Sequence, residues 1–194
     1  MTPLTSLCVY CGSAFGSNPR HQEAARRLGQ LMAARHVTLV YGGGRVGLMG
    51  TLADAVAAGG GTVIGIIPRH LEQKEVGHRG LAELHVVDSM HSRKAMMFDR
   101  SDAFAILPGG LGTLDEAFEM LTWRQLRLHD KPIILIDIDG YWQPLLTLID
   151  HVIEQGFATA ASRRLFTVVS EVDEVLDCIA REPLPAVPDA PALI

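Results

Sequence analysis

Basic residues are in short supply in this 194-residue chain: 17 Lys and Arg stand against 22 Asp and Glu, a formal net charge of −5. Without a basic excess there is no general pull on a nucleic-acid backbone, so no nucleic-acid partner is expected. A small nucleotide is not excluded, because it needs only a local site. No apolar run is long enough to span a bilayer, so no membrane partner is expected. Three cysteines do not make a disulfide framework, and Met1-Thr2-Pro3 enters a strand-like run without a basic leader. Both features make the cytoplasm the expected location. The P-loop pattern G-x-x-x-x-G-K-[ST] is absent, which argues against triphosphate hydrolysis. There is no H-E-x-x-H, no His/Cys cluster and no G-x-S-x-G elbow, so neither a metal nor a nucleophilic serine is expected.

What is present describes one globular domain. Apolar residues make up 48% of the chain and charged ones 20%, which excludes general disorder. Runs rich in β-branched residues at 4–10, 37–41, 62–67, 83–87, 103–107, 132–136 and 166–169 read as strands. Helical patterns fall between and after them at 19–34, 47–58, 89–101, 112–127, 141–155 and 171–180. Near-continuous apolar strands alternating with helices predict an α/β fold, a single-domain, Rossmann-like, doubly wound parallel sheet of about seven strands flanked by helices. The domain is expected over 1–181, followed by a tail over 182–194 whose four prolines favour an extended, weakly ordered chain. Residues 68–80 form a polar connection, read as a flap at the site. Cys8 lies inside the first strand, so Cys8-x-x-Cys11 reads as two small buried apolar residues, with a redox or metal role as the alternative.

Three glycine turns follow strands: Gly12-Ser13, Gly42-Gly43-Gly44 and Gly109-Gly110. A parallel sheet binds ligands beyond the carboxyl ends of its strands, which is where these turns fall. The segment Gly42–Gly47 matches G-x-G-x-x-G, but no acid for a ribose follows the third strand; Arg69 there is the only candidate contact for a cofactor phosphate. A mononucleotide site, a dinucleotide site and glycines serving packing alone all remain open for that turn. Pro108-Gly109-Gly110-Leu111-Gly112-Thr113 is more specific, a nest of backbone N–H groups at a helix start with Glu116 one turn inside. Ser89 reads as an N-cap, with Arg93 and Lys94 about one turn further on as cations for a phosphate or a carboxylate. A surface charge pair, and a helix acid favoured by the dipole, are the plainer readings of Arg93-Lys94 and Glu116. His70, His78 and His91 flank the region as surface or hydrogen-bonding residues.

Taken together, Cys11-Gly12-Ser13, Tyr41–Gly44 with Gly47–Gly50, Met90–Lys94, Pro108–Glu116, Thr122–Leu126 and His129–Ile133 resemble the LONELY GUY (LOG) family of cytokinin riboside 5′-monophosphate phosphoribohydrolases. The resemblance runs over about residues 5–180. It implies hydrolysis of the N-glycosidic bond of an adenosine-type 5′-monophosphate, such as a cytokinin nucleotide or AMP, to free base and ribose 5-phosphate. No cofactor is implied. Bacterial relatives are often described as AMP nucleosidases, and an older family label is lysine decarboxylase, for which the sequence offers no convincing Schiff-base lysine. By resemblance, Arg93 and Glu116 are the catalytic pair. Lys94, Gly110, Leu111, Gly112, Thr113, Glu75 and Thr122 match nucleotide-contacting positions, and Ser13, Gly43, Gly44 and Gly109 complete the expected substrate site. Arg127 departs from the glycine of many relatives and leaves the base preference open. A homodimer is implied, with the helices at 89–101 and 112–127 as its contact. The alternative from another class is a nucleotide-sensing or carrier module that binds without hydrolysing.

Overall fold

The computed structural model describes residues 4–72 and 83–181. Seven strands run in parallel: β1 (Ser6–Tyr10), β2 (Thr38–Tyr41), β3 (Val63–Pro68), β4 (Glu83–Val87), β5 (Ala103–Ile106), β6 (Ile133–Ile136) and β7 (Thr167–Val169). Their order in the single sheet is β4-β3-β2-β1-β5-β6-β7. The chain winds outward from β1 in one direction, then returns to the other side of β1 with β5. That reversal is the switch point at which open α/β sheets bind ligands.

The helices are α1 (Pro19–Ala34), α2 (Gly47–Ala58), the single turn α3 (Arg69–Glu72), α4 (Met90–Asp99), α5 (Leu111–Gln125), α6 (Gln143–Glu154) and α7 (Val175–Arg181). Strand side chains alternate between two cores. Leu7 and Val9 of β1, with Leu39, Ala105 and Ile134, pack under α1, α2 and α7, on Leu28, Leu52, Val56 and Leu176. Cys8 and Tyr10, with Val40, Phe104 and Ile133, pack under α4, α5 and α6, on Met97, Ala117, Met120 and Leu145. Both faces are thus covered, which is why the strands read as unbroken apolar runs. Cys8 and Cys11 lie in opposite cores, and burial, the largest influence on each, pushes both thiols well above their usual range. They are inert core residues, as the sequence predicts.

Local chemistry sets the element ends. Asn18 accepts from the Arg20 N–H at 3.0 Å and precedes Pro19, which gives α1 a side-chain cap and a proline at its first position. Ser89 caps α4 through the Ser92 N–H at 3.0 Å, so that helix starts one residue later than its sequence pattern. At the amino ends of the strands, Asp102 accepts from the Thr5 N–H at 2.9 Å, the Thr5 hydroxyl at 2.7 Å and the Ser6 N–H at 2.9 Å, tying β1 to β5. Three expectations are revised. The connection after β3 begins as α3; α6 begins at Gln143 instead of 141, because a 3₁₀ turn at Ile138–Gly140 intervenes; and α7 begins at Val175 instead of 171, because a 3₁₀ turn at Val172–Glu174 precedes it. The tail over 182–194 and most of the 68–80 flap lie outside the described residues.

Candidate active site

The turns after β1, β2 and β5 meet at the switch point. The Gly12 N–H donates to the Pro108 carbonyl at 3.0 Å, and the Gly12 carbonyl accepts from the Leu48 N–H at 3.1 Å. One residue therefore joins the turn after β5 to the start of α2. Gly47, at φ +63°, packs so closely on the Ser13–Ala14 backbone that a Cβ would lie 2.3 Å from the Ser13 carbonyl carbon.

Arg93, on the first turn of α4, reaches back under these turns and is only 6% exposed. Its Nε donates to the Ile66 carbonyl at 3.2 Å and its Nη2 to the Gly42 carbonyl at 3.5 Å. Nη2 is also 3.5 Å from Oε1 of Glu116, which projects from α5 and is 7% exposed. The two charges are buried together, and each offsets part of the other's desolvation. A Cβ on residue 42 would lie 2.0 Å from Nη2. Glycine stands at 42 because the guanidinium occupies the space a side chain would need.

Lys94 follows about a quarter-turn further around α4 and also reaches α5. Its Nζ lies 3.1 Å from Asp115 Oδ2 and 2.9 Å from Glu119 Oε2. Burial is the largest influence on this ammonium and would lower its pKa; the two carboxylates together outweigh it and hold the pKa above the usual lysine value. An amine kept protonated in this way is a poor Schiff-base nucleophile. Lys131 stands before β6, at the far end of the sheet from the glycine turns, with Nζ donating to the Phe98 carbonyl at 2.7 Å.

The Pro108–Thr113 turn caps the site. The Gly110 carbonyl accepts from Leu114 N–H at 3.0 Å and so begins α5, whose first N–H groups, at Leu111, Gly112 and Thr113, have no partner within the helix. Such an end suits an anion without needing a basic side chain. Thr113 is buried against Gly109: a Cβ at 109 would lie 2.1 Å from the Thr113 hydroxyl oxygen and 2.9 Å from the Gly12 nitrogen. Glycine there is needed for close approach. Leu111, in contrast, is 85% exposed.

The structure therefore brings together Arg93, Glu116, Thr113 and Gly109, with Gly110 and Gly112 at the opening of α5. Gly43, at φ +74°, and Gly44 are buried beside β3; a Cβ on Gly43 would lie 3.0 Å from that of Ile67, so its first role is packing. Ser13 is exposed on the turn after β1. Thr122 lies about a third of a turn around α5 from Glu116 and is exposed, on the side carrying Phe118 and Leu126. Glu75 and His78 lie outside the described residues. His70 and His91 are exposed, and the described residues contain no group of three His, Cys, Asp or Glu that could hold a metal ion. Arg127, at φ +60°, follows the last turn of α5, with its N–H donating to the Arg124 carbonyl at 3.0 Å. A helix end in the left-handed region favours glycine, so the departure at 127 concerns how α5 stops. Sequence reasoning missed Tyr141, whose hydroxyl donates to the Gly109 carbonyl at 2.6 Å. The adjoining Asp-Gly pair is a turn signal, but nothing local says which turn it approaches.

Fold and site define a small doubly wound α/β protein with a glycine-rich helix start and a buried Arg–Glu pair at its switch point. Comparison with known proteins narrows that class. Residues 49–179 match a family model described as "Possible lysine decarboxylase". A cytokinin riboside 5′-monophosphate phosphoribohydrolase of Arabidopsis thaliana is 45% identical over 170 residues, covering 88% of this chain and 78% of the relative. One from Rhodococcoides fascians is 45% identical over 175 residues, covering 90% and 88%. The chain belongs to this LOG family. Among solved structures, a molybdenum cofactor binding protein of Rippkaea orientalis matches with a TM-score of 0.69 at 22% identity, covering 93% of this chain and 98% of that one. At that identity the likeness concerns the fold alone.

Proposed function

We propose that this chain is a phosphoribohydrolase that cleaves the N-glycosidic bond of cytokinin riboside 5′-monophosphates, AMP or both, releasing free base and ribose 5-phosphate. The observation that carries the reading is the buried contact between Arg93 and Glu116 at 3.5 Å, beside a turn suited to a phosphate. Its support from relatives is their shared name at about 45% identity. Cleavage of a ribose–base bond develops positive charge on the sugar, which a carboxylate held ionised nearby stabilises. Glu116 is that carboxylate and orients the ribose hydroxyls or the attacking water. Arg93 faces that carboxylate and holds it in place. The Gly109–Thr113 turn binds the 5′-phosphate, whose binding energy holds the sugar at the carboxylate. Lys94, Ser13, Gly43, Gly44, Leu111, Thr122 and Glu75 belong to the wider substrate site in this reading. No metal or organic cofactor takes part.

The reading includes a cytoplasmic homodimer. No described helix is long and apolar enough to cross a membrane. Leu111, Phe118 and Leu126 leave an apolar strip on α5, with Leu126 63% exposed, and a second copy of the chain would cover it by two-fold symmetry. Thr122 sits in this strip, which brings it toward a site only if the two copies share their pockets.

The test is release of ribose 5-phosphate from AMP and from isopentenyladenosine monophosphate. Glu116→Gln and Arg93→Ala should each lower kcat by about 10²–10³ while the fold is retained, as when other fixed transition-state electrostatics are removed. Near-normal turnover by both would defeat the proposal. Nucleotide bound but recovered intact by the unaltered protein would point to a binding module.

A further inference from the structure

The segment after β6 is built with more care than a plain connection needs. Asp139 and Gly140 are both left-handed, at φ +53° and +76°, and fold the chain back over the carboxyl edge of the sheet. Each residue around them is anchored. Asp137, itself buried, accepts from the Trp142 N–H at 2.6 Å and from the Gln143 side-chain amide, while its own N–H donates to the Val169 carbonyl at 2.8 Å. Asp139 accepts from the Asn18 side-chain amide at 2.8 Å and pairs with Arg20. The product of this bracing is the placement of Tyr141. Its ring meets His21 edge-on at 5.3 Å and Trp142 at 4.8 Å, and its hydroxyl donates to the Gly109 carbonyl at 2.6 Å.

That carbonyl belongs to the peptide linking Gly109 to Gly110. The peptide is planar and trans, so its C=O and N–H point in opposite directions. Holding the Gly109 oxygen toward Tyr141 aims the Gly110 N–H the other way. Two consecutive glycines are otherwise the freest stretch a backbone can have. Gly109 is fixed on one side by its contact with Thr113, and Pro108 by its bond to Gly12. The Tyr141 hydroxyl supplies the remaining restraint on the peptide plane.

We propose that Tyr141 is a positioning residue for the anion-binding turn: by holding the Gly109–Gly110 peptide it presets the Gly110 N–H toward the phosphate of the substrate. This rests on the reading that the turn takes the 5′-phosphate. Preset donors need no rearrangement when the ligand arrives, and removing the restraint weakens binding of the phosphate without touching the reacting atoms.

The experiment compares Tyr141→Phe, which deletes only the hydroxyl, with the unaltered protein in three readouts. These are KM and kcat for AMP, the inhibition constant of ribose 5-phosphate, and the melting temperature. The expected result is a rise of about five- to twentyfold in both KM and the inhibition constant, as when one hydrogen bond to a charged group is weakened but not lost, with kcat changed by less than about threefold. A purely structural role would lower the melting temperature and kcat while leaving KM in place, and that pattern overturns the inference. Asp139→Asn is the second variant; it keeps a residue at ease in the left-handed region but drops the ion pair to Arg20, and it should move the same two constants in the same direction. Unchanged constants in both variants overturn the role of Tyr141. If ribose 5-phosphate fails to inhibit even the unaltered protein, the phosphate reading of the turn fails first, which separates the two ideas.

Discussion

Gly42→Ala offers a test of the site that changes no charged or polar side chain. The added methyl would sit 2.0 Å from Arg93 Nη2 and 3.1 Å from the guanidinium carbon, with the Met49 sulfur at 3.2 Å. Ordinary contact needs about 3.4 Å, so Nη2 has to retreat by roughly 1.4 Å. The backbone does not need to move, because the clashing atom is the end of a flexible side chain. The retreat breaks the contact of Nη2 with the Gly42 carbonyl and disturbs its 3.5 Å approach to Glu116. Crowding a packed site costs about 1–3 kcal/mol of stability. A displacement of about 1 Å in a catalytic group costs about 10²-fold in rate. Expected, then, is a protein that folds, melts a few degrees lower, and releases ribose 5-phosphate about a hundredfold more slowly. The double variant Gly42→Ala/Arg93→Ala sharpens this. Once the guanidinium is gone the methyl has room, so the second change should add little to the loss caused by Arg93→Ala alone. Full activity in Gly42→Ala, or multiplicative losses in the double variant, would refute the account of why glycine stands at 42.

Two further outcomes can be measured. Asp102 is the link between β1 and β5: burial would raise its pKa, but the Thr5 and Ser6 donors outweigh it and hold the carboxyl below its usual range. A depressed carboxyl contributes stability above the unfolded pKa of about 3.9 and loses it as pH falls through the folded value. Asp102→Asn should therefore cost about 1 kcal/mol at neutral pH, allowing for its exposure, and the difference in melting temperature should shrink as pH falls through the folded value of the carboxyl. Replacing Phe118 and Leu126 by glutamate should leave the melting temperature of the isolated chain nearly unchanged yet shift sedimentation from dimer to monomer; an unaltered sedimentation profile would exclude the α5 strip as the contact.

The sequence was most legible where one strong signal dominates. The seven strands stand out because a sheet covered on both faces demands unbroken apolar runs, and each lies within a residue or two of its expected bounds. Arg93 and Glu116 stand out in their motifs and are paired by the resemblance, and they do face one another. What no local pattern discloses is long-range contact. Gly42 and Arg93 are 51 residues apart, so the steric reason for that glycine exists only in the folded chain. Tyr141 falls in an amphipathic stretch and reads as the start of a helix; the preceding turn and the 32-residue reach to Gly109 decide its place. Thr122, named by resemblance, lies on the exposed side of α5, a position that motif spacing alone does not disclose.

The bonds from Gly12 to Pro108 and Leu48 also bear on how the protein acquires its site. Gly12 leaves the ribosome first, Leu48 next and Pro108 long after. β1 lies in the middle of the sheet, and its flank stays open until β5 is made and docks beside it, register Cys8 to Phe104. An emerging chain can pair β1 with β2 and β3 early, but no such intermediate has the Pro108–Thr113 turn, the Glu116 carboxylate or the edge that holds them. Non-local pairing of this kind is slow relative to helix formation. Ligand binding competence and closure of the central strands therefore arise in one event, and nucleotide affinity can serve as the probe for the last step of folding.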